Sequence, residues 1–311
     1  MPNRKPLGSV DSSQDDVSGA TARSSAPSRQ ARGPTEGLLR IARLVVPGPP
    51  PESLLKAQAV LLQCFEKNWP KGLRARFAMT MGGFLQTRFA TSWAGGTGWD
   101  SRADDFAALI AAAQPSVTAL LSPRVVSAAA RCTQYLTLGI DLVWEDGLHG
   151  ELVAIVDVAA GAVVHWTGKS FPSASQSHRL IQVADLQSHF FDGADERVLV
   201  LCDHDLSIYN PRARKSLDEG SLRGQRCQEM DALLSRHQPT MALQHPHSMD
   251  SPQLFSQEWK QLLKQVPSIS CWASGIAHCS RDEGEEPLCS LAEVVQGARS
   301  ARDVVDVIAA A

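Results

Sequence analysis

The chain has 311 residues, 43% hydrophobic and 20% charged, and its 30 Lys+Arg against 33 Asp+Glu leave a net charge of −3. That length suits one large domain or two small ones, with a core that needs no covalent staples. The near-neutral balance excludes attachment to DNA or an anionic membrane by bulk charge, though not a local basic groove.

No apolar run approaches the roughly eighteen residues a spanning helix needs. The N-terminal run MPNRKPLGSVDSSQDD lacks the apolar stretch of a secretory signal, and Asp11, Asp15 and Asp16 argue against a mitochondrial leader. Seven scattered cysteines without a CxxC read as reduced thiols, which places the protein in the cytoplasm. Residues 1–36 are rich in serine and poor in large aliphatics, the composition of a disordered tail.

A short apolar stretch, Leu38 to Val46, precedes a stiff linker, Pro47-Gly48-Pro49-Pro50-Pro51. Leu54, Leu55, Ala57, Leu61, Leu62 and Phe65 then recur at helical spacing, predicting a helix from Glu52 to Trp69. Phe77 to Trp93, broken by Gly82-Gly83, reads as one strand or two, and a helix carries Phe106, Leu109 and Ile110. Residues 37–134 thus form a mostly helical N-terminal region, continuous with an α/β domain over 135–311. From Tyr135 the period changes to two: Leu136, Leu138, Ile140 and Leu142 alternate with Thr137, Gly139, Asp141 and Val143. Leu152 to Val158 and Val163 to Trp166 complete a three-strand, hairpin-containing sheet.

The last third alternates strands with helices: Val198 to Cys202, Leu222 to His237, Thr240 to Gln244, a helix opened by Ser251-Pro252, Ile269 to Ala273, a capping box at Ser290 to Glu293, and Val304 to Ile308. That order predicts an α/β fold: a C-terminal parallel βαβαβαβ sheet, preceded by the hairpin sheet and N-terminal helices.

Ligands of open α/β sheets bind beyond the carboxyl ends of the strands. Four of the nine histidines, His204, His245, His247 and His278, fall in the loops after the predicted strands. Asp203-His204-Asp205 and His245-Pro246-His247, with Asp250 close by, offer carboxylate and imidazole ligands at short spacing. The leading expectation is therefore a metal-dependent hydrolase acting on a small-molecule phosphoester or nucleic acid. A divalent ion (Zn, Mn or Mg) would sit on Asp203, Asp205, His245, His247 and Asp250. His204 would serve as acid or base and Arg212 as a phosphate clamp. The competing reading is a non-catalytic module that binds a ligand or a protein.

His245-Pro246-His247-Ser248 is similar to the start of the His-x-His-x-Asp-His motif of metallo-β-lactamase-fold hydrolases, but Met249 and Asp250 stand where that motif has Asp and His. The element order resembles the ribonuclease-H-like fold. That resemblance implies a two-metal nuclease with Asp141 and Asp203 on neighbouring strands and His247 or Asp250 beside them. A histidine and a cysteine after successive strands, His245 or His247 with Cys279, resemble caspase-like proteases without their sequence contexts.

Overall fold

The strongest period-two segment forms the longest strand, and the rest of the architecture is arranged around it. In the computed structural model, which describes residues 38–309 apart from 174, 175, 177, 194 and 281–283, that strand is β4, Thr133–Trp144. The N-terminal half contributes β1 (Leu38–Val45), α1 (Leu54–Leu62), β2 (Arg74–Met79), β3 (Leu85–Phe89), α2 (Ala103–Leu120) and α3 (Pro123–Ala130). After β4 come β5 (His149–Asp157), β6 (Ala162–Gly168), β7 (Phe190–Gly193) and β8 (Glu196–Cys202). The chain ends with α4 (Pro211–Lys215), α5 (Leu222–His237), β9 (Met241–His245), α6 (Ser256–Gln265), β10 (Cys271–Ser274), α7 (Leu291–Gln296) and β11 (Val304–Ile308). The expected tail lies outside the described residues.

The fold is α/β, with two sheets. The first runs β11-β1-β2-β4-β5-β6, with β3 also paired to β4, and the second runs β10-β9-β8-β7. The hairpin β4–β5–β6 is antiparallel as expected. The predicted four-strand C-terminal parallel sheet is corrected. Only β8, β9 and β10 are parallel neighbours, the added edge β7 is antiparallel, and β11 leaves to pair with β1 in the first sheet. The apolar stretch at Leu38 is that partner strand, and Arg43 fixes the pairing: fully buried, it donates to Asp306 Oδ1 at 2.6 Å and to backbone carbonyls of Val295 and Gly297.

Alternation explains the layers. Leu136, Leu138, Ile140 and Leu142 of β4 pack with Ala57 and Leu61 of α1 and with Leu109, Ala113 and Val117 of α2. The opposite face of the first sheet, through Phe77, Met79, Val153 and Ile155, meets Val198, Val200, Met241 and Leu243 of the second. Helices α5 and α6 cover the second sheet with Met230, Leu234, Trp259 and Leu262. The order is helices, sheet, sheet, helices. Burial in the apolar layers is the main stabilising contribution, at roughly 25 cal/mol per Å² of apolar surface. Among the described residues, no single helix is long and apolar enough to cross a membrane.

Candidate active site

At one end of the sheet–sheet interface, polar side chains replace the apolar ones. In β5, Glu151 shares the inward face of Val153 and Ile155, and its cross-strand partner in β4 is Asp141. Two carboxylates directly opposite each other repel unless cations lie beside them. Two basic groups provide that charge. Lys169 follows β6 and is fully buried, its Nζ donating to Glu151 Oε1 at 3.0 Å and to Asp203 Oδ2 at 2.6 Å. His247, in the loop after β9, donates from Nε2 to Asp141 Oδ1 at 2.8 Å, and its Nδ1 lies 3.3 Å from Asp203 Oδ1.

Asp203 sits where β8 turns sharply into a short 3-10 helix, Asp203–Tyr209, and its φ is +30°. A non-glycine residue held in this region is strained, and such turns present a side chain at the top of a sheet. The surroundings hold the turn in place. Gln244 Nε2 donates to the Asp203 carbonyl at 2.8 Å, Ser274 Oγ donates to Gln244 Oε1 at 2.6 Å, and Trp259 Nε1 donates to that serine at 3.0 Å. Asp205 fixes the other side: its carboxylate accepts from the backbone N–H of Ser170 (3.1 Å), Phe171 (2.8 Å) and Cys202 (3.2 Å). It thereby ties the segment bearing Lys169 to the turn bearing Asp203. Gly83 is at φ +62°, and a Cβ there would lie 2.5 Å from Asp141 Oδ2 and 3.0 Å from the His247 ring. Glycine leaves room for that pair.

The charges are driven apart. Burial by itself would raise the Asp203 carboxyl, but hydrogen bonds from His204 and His247 and the Lys169 ammonium hold it well below its usual range. Burial likewise opposes ionisation of Glu151, and Lys169 and His247 outweigh it. His247 moves the other way: burial is overcome by Asp141 and Glu151, which hold the imidazole protonated well above its usual value. A depressed carboxyl facing an elevated imidazole is the signature of a buried ion pair, whether structural or catalytic. His247 and His204 have side chains 32% and 43% exposed, so the cluster opens to solvent on their side.

The structure separates the sequence-predicted residues. Asp203, His204 and His247 come together, and His204 Nδ1 bonds Asp203 Oδ2. Asp205 is fully buried and occupied with backbone amides, not a ligand position. His245 is buried beside Thr80, and burial pushes it down to about 3. Its own carbonyl approaches Gly82 so closely that a Cβ there would lie 2.5 Å away. Asp250 is buried beside the Cys289 backbone. Arg212 is exposed on α4, and among the described residues the cluster's bonds are made without it. Cys279 is not an activated thiol, because burial and Asp250 push it up. Lys169 and Glu151 were not predicted. Glu151 had a signal: it keeps the inward period of Val153 and Ile155. No spacing links Lys169 to Asp203.

No protein-family profile matches the chain, and no curated protein does. Among solved structures, the chain is similar to a cysteine-to-serine mutant of the Nesterenkonia AN1 amidase from the nitrilase superfamily, at 13% identity and TM-score 0.47, over 81% of this chain and 82% of that one. A glutamate-to-glutamine mutant of that amidase, with the acetamide moiety of fluoroacetamide on its active-site cysteine, matches at 13% identity and TM-score 0.47, over 81% and 80%. Glutamine-dependent NAD+ synthetase from Acinetobacter baumannii with bound ADP matches at 13% and TM-score 0.44, over 77% of this chain and 39% of that one.

The cluster supplies a physical reason to correct the expected metal hydrolase. Glu151, Asp203 and His247 do bring ligand atoms within 4.8 Å of one another. The Lys169 ammonium already bridges both carboxylates and supplies the positive charge a metal ion would otherwise bring there. His245, Asp205 and Asp250 are not part of that group. The expected phosphoester or nucleic-acid substrate falls with the divalent ion. The ribonuclease-H-like order fails its own test, since Asp141 and Asp203 belong to different sheets. A thiol does not replace the metal in this cluster: Cys202 is buried in the inter-sheet core, and burial pushes it well above its usual value.

Proposed function

We propose that the chain is a small-molecule hydrolase whose nucleophile is the Asp203 carboxylate and whose acid–base group is His247. The observation that carries this reading is the strained turn at Asp203, φ +30°, which holds an ionised carboxylate 3.3 Å from a protonated imidazole nitrogen. Carboxylates form covalent intermediates in several hydrolase classes. Here Oδ2 is held by Lys169 and His204, and Oδ1, which faces His247 Nδ1, is the attacking oxygen.

An acyl carbon bearing a nitrogen leaving group fits the pair, because an expelled amine has to take up a proton. Oδ1 attacks the carbonyl carbon, and the π pair moves to oxygen. On collapse the C–N bond breaks, and the amine takes its proton from His247 Nδ1. The acyl group remains on Asp203 as a mixed anhydride. Water then attacks the anhydride and gives its proton to the neutral His247, a carboxylic acid leaves, and the Asp203 carboxylate is restored. Lys169 orients the nucleophile and neutralises its charge.

The test is turnover of a panel of small amides with trapping by hydroxylamine. The expected result is an adduct on the peptide containing Asp203, and a fall in kcat of roughly a thousandfold in Asp203→Asn. Wild-type turnover in that variant, or no hydrolysis of any amide by the parent, overturns the reading.

A further inference from the structure

Among the described residues, the Glu151 carboxylate accepts hydrogen bonds on one of its two oxygens. Oε1 accepts from Lys169 Nζ at 3.0 Å and from Gln176 Nε2 at 3.3 Å, and His149 Nε2 lies 3.6 Å away. Oε2 is buried and, among the described residues, accepts no hydrogen bond. A buried carboxylate oxygen without a donor is costly, and a native site that retains one calls for an explanation. His247 Nδ1 faces it from 4.0 Å, beyond hydrogen-bond distance. That same nitrogen is 3.3 Å from Asp203 Oδ1. The vacant acceptor therefore flanks the nitrogen assigned as proton donor, which also contacts the nucleophile.

We propose that Glu151 Oε2 is the specificity-determining acceptor for an N–H of the substrate, so that the site takes amides carrying at least one N–H and discriminates against esters and tertiary amides. The inference rests on the hydrolase reading above and deepens it. A leaving nitrogen beside His247 Nδ1 would receive one proton from that imidazole while directing an existing N–H to Oε2. An ester oxygen has no hydrogen to offer, and it would leave the buried carboxylate oxygen unpaired. Sites built to pair a polar group reject analogues that lack it far more strongly than apolar pockets reject a missing methylene.

The experiment uses acetamide, methyl acetate and N,N-dimethylacetamide with the full chain and with Glu151→Gln. Glutamine keeps the volume and an oxygen for Lys169, but it can turn an N–H donor toward the place of the vacant acceptor. The expected result is a preference for acetamide in the parent, with the amide-to-ester ratio of kcat/KM falling roughly ten- to a hundredfold in the variant. Equal losses on both substrates, with the ratio unchanged, would show that Glu151 only holds Lys169, and this overturns the inference. Calorimetric binding to Asp203→Asn separates the two proposals. If the parent turns over nothing, the hydrolase reading falls. Tighter binding of acetamide than of its dimethyl analogue, lost on adding Glu151→Gln, then still supports the acceptor. Equal binding of the two overturns it.

Discussion

Replacing Lys169 with methionine keeps most of the side-chain volume and removes a buried ammonium that touches both Glu151 and Asp203. Two carboxylates would remain at the sheet–sheet interface, with His247, His204, His149 and Gln176 as their cationic or donor neighbours among the described residues. Breaking a buried ion pair by removing one partner costs about 3–5 kcal/mol. Asp203 keeps its imidazole contacts, so the upper end of that range is expected rather than twice it. For a unit of this size the loss corresponds to a fall in Tm of roughly 8–10 °C. The pH dependence identifies the mechanism. In the parent, both carboxyls are depressed, so their stabilising contribution is present above the unfolded carboxyl range and is lost as pH falls through the folded values. In Lys169→Met the largest influence that lowers the Glu151 carboxyl is gone, so burial is expected to raise that group, and the variant should lose stability as pH rises through its raised value. The difference between parent and variant should therefore be larger at about pH 8 than at about pH 5. Thermal melts across that range measure it, and Lys169→Met/Asp203→Asn should lose less than the sum of the single changes. A pH-independent difference, or strict additivity, would refute the assignment of Lys169 as the charge that holds this cluster together.

Cys202→Ala should retain turnover within a fewfold, and brief iodoacetamide treatment should leave the parent active, because that thiol is buried between the sheets and pushed well above its usual value. Rapid, stoichiometric inactivation at Cys202 would restore a thiol mechanism. Burial raises Asp205 to about 7, so this group binds more protons folded than unfolded between the unfolded carboxyl range and that value. Its contribution to stability falls as pH rises through that window, by about 1.4 kcal/mol per pH unit at most. Asp205→Asn should flatten the Tm–pH slope there, and NMR amide shifts of Ser170, Phe171 and Cys202 should titrate together near neutrality in the parent. An unchanged slope would show that the carboxyl does not titrate in that range.

The elements were legible because their periods are strong. The alternation at Leu136 to Leu142, the apolar run Val198 to Cys202 and the capping box at Ser290 all appear as read, the last with Glu293 Oε2 accepting from Ser290 N at 2.8 Å. What failed was the assignment of strands to sheets. Val304 to Ile308 has the pattern of a buried strand, but nothing local distinguishes β10 from β1 as its neighbour. The Arg43–Asp306 pair that fixes the choice spans 263 positions. The site was half visible for the same reason. Asp203, His204 and His247 follow strands of the second sheet, where the strand-end rule looks. Glu151 and Lys169 come from the first sheet, and only packing of one sheet on the other brings them to Asp203. Asp205 and His245 had the right chemistry and the wrong surroundings: backbone amides took one, and a close backbone crossing at Gly82 buried the other.

The parallel pairing of β1 with β11 has a consequence for how the protein is made. During synthesis β1 emerges early, and its partner on that side is translated only after β10. Until then the first sheet presents an apolar strand with an open edge, the kind of surface that recruits other chains. The nascent chain therefore carries an unpaired strand edge from the synthesis of β1 until Val304–Ile308 is available to cover it.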